Sequence, residues 1–158
     1  MSRAISPALG AVLLALITVA LAGVLTASVR TATLGQPQPD FGRISADAEP
    51  DGTISLTHKH GHAIDVRQVT VVVSVDGEQL AQQPPVPFFS TAGFEAGPTG
   101  PFNSAADPEW TVGEQASFTI ADSNTPAPQP GDEIKIELYE DGHPLAEATT
   151  SLPGHGGE

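Results

Sequence analysis

Three histidines stand at alternate positions in His58-Lys59-His60-Gly61-His62. Alternate residues of a β-strand point to one face, so this spacing could turn His58, His60 and His62 toward a single Cu²⁺, Ni²⁺ or Zn²⁺ ion. Two features oppose that reading. Gly61, lying between two expected strands, suits a hairpin loop, and Lys59 sets a positive charge beside any bound cation. Asp65 is close but completes no recognisable ligand set. The expectation is no metal, with these three histidines as the candidates if one binds.

The carboxylates are numerous but ungrouped. Asp107, Glu109 and Asp122 lack the spacing of a calcium loop. The pairs Asp132-Glu133 and Glu140-Asp141 flank expected strands, where they solvate strand ends. There is no nucleophile elbow, phosphate loop, zincin motif or dinucleotide fingerprint. The absence of cysteine excludes disulfides, thiolate metal sites and a thiol nucleophile. The chain reads as a non-enzyme with no cofactor.

The element that most constrains function is apolar. From Pro7 to Val29 no residue is charged. As a helix rising about 1.5 Å per residue, that run is roughly 34 Å long, against about 30 Å for a bilayer core. Ser6 can cap the helix start, and Pro7 suits the first helical position, where no N–H is needed. The small residues Ala8, Ala11, Ala15, Thr18, Ala22 and Thr26 recur every three or four positions and form one stripe. Leu9, Leu13, Leu16, Ile17 and Val24 lie broadly opposite. Small residues let helix backbones approach closely where lipid supplies no drive between helices. The run fits three uses: a cleaved secretory signal ending near Ala27-Ser28, a plain membrane anchor, or an assembly helix.

The segment Arg3-Ala4-Ile5-Ser6-Pro7-Ala8-Leu9-Gly10, followed at once by the apolar run, resembles the start of archaeal type IV pilins, above all those of halophilic archaea. The likeness covers about 25 residues; beyond them it is only architectural. It implies a class III signal peptide, cut by a prepilin peptidase on the cytoplasmic side and before the apolar segment. The cleavage residues are then Arg3, Ala4, Ile5 and Ser6, with the cut after Ala4 and Ile5 as the mature N-terminus. Bacterial pilins carry a glutamate at the fifth mature position. Here that position is Leu9, so subunit register cannot rest on that ion pair. The resemblance further implies a precursor held in the membrane with its N-terminus cytoplasmic, and a mature subunit in an extracellular cell-surface filament used for adhesion. Its partners are then the peptidase, other copies of the pilin and the pilus assembly machinery.

Composition agrees with an exported head. Nineteen acidic residues against six basic ones give a formal net charge of −13. Such a surface repels nucleic acid and anionic lipid. Few lysines and abundant Asp and Glu look halophilic, although an acidic secreted domain has the same balance. Asn103-Ser104-Ala105 and Asn124-Thr125-Pro126 both fail as N-glycosylation sequons.

The expected organisation is a leader over 1–4, a transmembrane or assembly helix over 5–33, a Pro-rich linker over 34–40, a β head over 41–152 and a tail over 153–158. The fold class is α+β: one hydrophobic helix, then a small antiparallel, immunoglobulin-like β-sandwich. Strands are predicted near 41–47, 53–57, 66–75, 78–82, 116–120, 133–139 and 145–152, with Asp51-Gly52, Asp76-Gly77 and Asp141-Gly142 as turns. The irregular stretch 84–109 holds Phe88, Phe89, Phe94 and Phe102, and Trp110 follows it. Those rings either plug one end of the sandwich or form an exposed contact loop. The rival to a filament subunit is a monomeric, membrane-tethered β module that binds a ligand or metal outside the cell.

Overall fold

Period-two alternation sets most of the head. In the computed structural model, which describes residues 6–33 and 43–154, the chain divides into two units, Met1–Gln36 and Pro37–Glu158. The first contains a single helix, α1 (Pro7–Thr33). The second is built of antiparallel sheets, so the chain is α+β with one N-terminal helix. The expected leader, the linker over 34–40 and the end of the tail lie outside the described residues.

Strands β1 (Ile44–Ala48), β2 (Thr53–His58) and β7 (Gln115–Thr119) form one sheet in the order β1-β2-β7. A second sheet has the order β5-β4-β8-β9, from β4 (Val69–Val75), β5 (Glu78–Gln79), β8 (Glu133–Glu140) and β9 (His143–Ser151). The short strands β3 (Ile64–Asp65) and β6 (Glu109–Trp110) pair separately.

The inner rows of both large sheets enter one core. Ile54, Leu56 and Phe118 come from the first sheet, and Val71, Val73, Ile136 and Leu138 from the second; each is at most 1% exposed. Burying one such side chain contributes about 1.5–3 kcal/mol. The outer rows differ in chemistry. On β2 and β7 they are Thr53, Ser55, Thr57, Gln115, Ser117 and Thr119, all intermediate or exposed. On β8 and β9 they include Glu133, Lys135, Glu137 and Glu147.

Two hairpins use the same turn. Asp76 and Gly77 have φ of 48° and 82°, and Asp141 and Gly142 have 49° and 79°. Two successive positive φ values are those of a type I′ turn, whose twist matches the flanking strands. Asp76 has a further role: its Oδ1 accepts the N–H of Glu133 at 2.8 Å, which fixes the start of β8.

Three boundaries differ from expectation. β4 begins at Val69, because Val66–Gln68 form a 3₁₀ turn whose Arg67 N–H is capped by Asp65. β5 stops at Gln79, where Leu80 turns inward to 3% exposure. Beyond it, the side chain of Gln83 occupies the β4 edge: Oε1 accepts the N–H of Val73 at 2.7 Å and Nε2 donates to its carbonyl at 3.0 Å. β9 begins earlier than expected, at His143, because Pro144 pairs with Tyr139 across a register shift.

Candidate functional site

α1 is the first candidate surface. Pro7 is its first residue, and the Ser6 carbonyl accepts the N–H groups of Leu9 at 2.9 Å and Gly10 at 3.3 Å. This is the position a cap residue holds, with its carbonyl receiving the first helical bonds. Side chains are described from Pro7 to Leu21, and every large apolar one among them is exposed: Leu9, Val12, Leu13, Leu14, Leu16, Ile17, Val19 and Leu21, at 52–71%. Ala8, Ala11, Ala15 and Thr18 are exposed too. The small stripe is thus one side of a helix that is apolar all round. Thr18 Oγ1 donates to the Leu14 carbonyl at 2.8 Å, so its hydroxyl is satisfied within its own helix. The side chains of Ala22 and Thr26, and Arg3, Ala4 and Ile5 of the expected cleavage site, lie outside the described residues.

No helix among the described residues is long and apolar enough to cross a membrane. The stretch Pro7–Leu21 covers roughly 22 Å at helical rise, short of a bilayer core of about 30 Å. The expected crossing is therefore not met within it, although the helix backbone continues to Thr33.

The histidines separate. His58 is the last residue of β2 and is fully buried; His60 and His62 are exposed in the bend that follows. His58 Nδ1 lies 3.1 Å from the Trp110 carbonyl. A carbonyl only accepts, so Nδ1 is the donor in this bond. Nε2 is buried without a hydrogen-bond partner. The imidazole leans on the Trp110 indole at 5.7 Å between centroids. Its main chain binds the turn after Trp110 from both sides: the His58 N–H donates to the Glu114 carbonyl, and the Gly113 N–H to the His58 carbonyl. Gly61, with φ of 103°, lies against the Arg43 guanidinium, which donates to the His62 carbonyl at 2.9 Å. Among the described residues no three His, Asp or Glu side chains are grouped to hold a metal ion.

The aromatic stretch is mostly core. Phe88, Phe94 and Phe102 are 5%, 6% and 0% exposed, and Trp110 is fully buried. Phe94 meets Phe118 edge-on at 5.5 Å, and Phe102 meets Trp110 edge-on at 5.3 Å, both favoured geometries for ring pairs. Phe89 alone among these rings points out, at 60%. Asn124, 2% exposed, fastens the stretch: its amide donates to the Gln82 and Gly93 carbonyls, and its oxygen accepts the N–H of Gln82. Gly100 has φ of 61°, and a Cβ there would collide with the Gln115 carbonyl oxygen. Sequence offered both the buried and the exposed alternative for this loop; nothing in it singled out Asn124 as the fastener.

One shallow cavity of about 280 Å³ is lined by Ala63, Asp65, Arg67, Asp107, Pro108 and Glu109. Arg67 binds Asp65 through Nε at 2.9 Å and a terminal nitrogen at 2.6 Å. These hydrogen bonds hold the Asp65 carboxyl below its ordinary range and raise Arg67 above its own. On the outer face of β8 and β9, burial pulls Lys135 down, but Glu137 and Glu147, 3.3 and 3.4 Å away, outweigh it and leave Lys135 raised. Arg67 balances Asp65, whereas Lys135 faces two carboxylates, so the cluster on β8 and β9 keeps a net negative charge.

No family model matches the chain, and no curated protein is significantly similar to it.

Proposed function

We propose that this chain is a type IV pilin-like structural subunit, whose helix packs in the core of a cell-surface filament and whose acidic β head faces outward for adhesion. The observation that carries this reading is the surface of α1. A helix apolar on every side is stable only inside a lipid bilayer, a protein core or a bundle of like helices. The charge-free run through Val29 and the helix backbone through Thr33 suit a precursor that waits in the membrane with its N-terminus inside. The Arg3-Ala4-Ile5-Ser6-Pro7 segment supports release by a prepilin peptidase. With Leu9 at the fifth mature position, packing and shape set subunit register in place of an ion pair.

The head supports an immunoglobulin-like sandwich in its strand order. β1, β2 and β7 form one layer and β5, β4, β8 and β9 the other, with the chain passing between layers after β2, β5 and β7. Its role is to be displayed; it has no catalytic part and binds no nucleic acid. Export of the filament draws on a separate assembly ATPase.

The mature N-terminus tests the reading. Mass spectrometry of the protein from its membrane or surface fraction should find Ile5 first, and replacing Arg3 and Ala4 should leave the precursor uncut. An intact Met1 or Ser2 would favour a monomeric tethered module, and a start beyond Ala27 a discarded signal peptide.

A further inference from the structure

Three Asp-Gly pairs stand in turns of the head, and their reacting atoms are held differently. An Asp-Gly bond is where a chain most readily attacks itself, because glycine has no side chain to shield its nitrogen and the neighbouring carboxyl lies one ring closure away. In Asp51-Gly52 both atoms are occupied. Asp51 Oδ1 accepts the N–H of Thr53 at 2.9 Å, and the N–H of Gly52, a buried residue, donates to the Glu49 carbonyl at 3.0 Å. In Asp76-Gly77 the carboxyl alone is held, by the Glu133 N–H at 2.8 Å. Asp141 and Gly142 are exposed, and among the described residues nothing bonds to the Asp141 carboxyl or to the Gly142 N–H.

We propose that Asp141-Gly142 is a site of self-modification, where the folded chain isomerises to an isoaspartyl link ahead of the other two pairs. The reaction needs only water. The Gly142 nitrogen bonds to Asp141 Cγ, and one carboxyl oxygen leaves as water, carrying the acid proton and the amide proton. This closes a five-membered succinimide. A second water adds to the Asp141 main-chain carbonyl carbon and breaks its bond to the Gly142 nitrogen, so that the main chain now runs through Cγ. The overall mass is unchanged. His143 Nδ1 lies 3.1 Å from that carbonyl oxygen. A carbonyl only accepts, so the imidazole donates and draws electron density from the carbon that the second water attacks.

The matched turns isolate the difference. Swinging a carboxyl onto the next nitrogen loosens a type I′ turn, but Asp76-Gly77 and Asp141-Gly142 have nearly the same φ values, and both glycines have open space beside them. That cost is common to both. What remains is the Glu133 bond, which Asp76 must release before it reacts. Releasing a hydrogen bond to a carboxylate slows the step about tenfold. The product adds one atom to the main chain of a two-residue loop, whose length fixes the β8–β9 register, so the change loosens that hairpin. This chemistry is independent of whether the chain assembles.

Trypsin separates the three pairs, because Arg43, Lys59, Arg67 and Lys135 place them in residues 44–59, 68–135 and 136–158. The full chain would be aged in mildly acidic buffer, folded in detergent and, separately, unfolded in guanidinium. Isoaspartyl peptides, equal in mass to their parents but separable by chromatography, would then be quantified. In the folded chain isoaspartate should form about tenfold faster at Asp141 than at Asp76, and more slowly still at Asp51. Unfolded, Asp76 and Asp141 should react at similar rates. Equal rates at the two in the folded chain, a faster rate at Asp76, or no reaction at Asp141 while the unfolded chain reacts would each overturn the site. Asp76→Asn and Asp141→Asn give a second measure, since ammonia then leaves in place of water and the conversion changes the peptide mass. Asp141→Asn should convert about tenfold faster than Asp76→Asn in the folded chain, and equal conversion would also overturn the proposal.

Discussion

His58 and Trp110 hold each other in place: the imidazole Nδ1 donates to the Trp110 main-chain carbonyl at 3.1 Å, while the two rings pack at 5.7 Å. A histidine drawn from a cluster with ligand-like spacing therefore serves as a buried strut between β2 and β6. The Trp110 indole N–H donates in turn to the Glu114 carbonyl at 2.8 Å, so one small group of bonds closes that end of the head.

Replacing His58 with Leu keeps the apolar contact and removes the donor to a buried carbonyl. We expect a loss of about 1–3 kcal/mol, read by chemical denaturation of the full chain in detergent. His62→Ala should stay within about 0.5 kcal/mol of the parent, since that side chain is exposed. Chelators should shift neither midpoint. A chelator-induced loss of folding would restore the metal reading.

The aromatic stretch should divide sharply by ring. Phe102→Ala removes a fully buried ring from between Trp110 and Phe118 and should lose about 3–5 kcal/mol. Phe89→Ala, on an exposed ring, should change stability by less than about 0.5 kcal/mol. Comparable losses at both positions would mean that Phe89 is covered in the folded chain.

The matched turns allow a paired test. A β-branched residue at a left-handed position loses about 1–2 kcal/mol, so Asp141→Val should destabilise while Asp141→Asn is tolerated. Asp76→Ala should lose about 1 kcal/mol more than Asp141→Ala, because it also gives up the bond to the Glu133 N–H. Thermal midpoints of the four variants decide it, and equal losses for the two alanine variants would show that the Glu133 bond contributes nothing.

Acid should act on Asp65 with a defined sign. Its carboxyl is held low in the folded chain, chiefly by the Arg67 side chain. Its contribution is complete above the unfolded range near pH 4 and is lost as the pH falls through the lower, folded value. Asn at this position keeps an oxygen for the Arg67 N–H but loses the charge. Asp65→Asn should be slightly less stable than the parent at pH 7, and the gap should close in strong acid. A gap that persists at pH 2 would assign the effect to packing.

Alternation carried the long strands. Ile134, Ile136 and Leu138 share one face of β8, and the three Asp-Gly pairs announced turns, two of them type I′. The start of β4 was not legible, because Val66 continues the apolar run while Asp65 and Arg67 impose a 3₁₀ turn through a side-chain cap. The pair β3 and β6 is two residues on each side and comes from distant parts of the chain, so no local period marks it. The histidine trio divides as the loop expected around Gly61 implies: β2 ends at the first of the three, and His60 and His62 lie in the bend that follows. At the N-terminus, residue types alone define the expected cleavage site and already mark the apolar helix; the structure adds that its large side chains are exposed on every side as far as Leu21.

The Gln83 side chain is bonded to Val73 as a neighbouring strand would be, and it thereby closes that stretch of the β4 edge to any incoming chain. In the filament proposed above, crowded heads would meet one another at very high local concentration, the condition under which exposed edges recruit foreign strands into disordered aggregates. A single amide acting as a decoy partner blocks that route at Val73, which under the proposed filament would leave growth to the helices and keep neighbouring heads as separate folds.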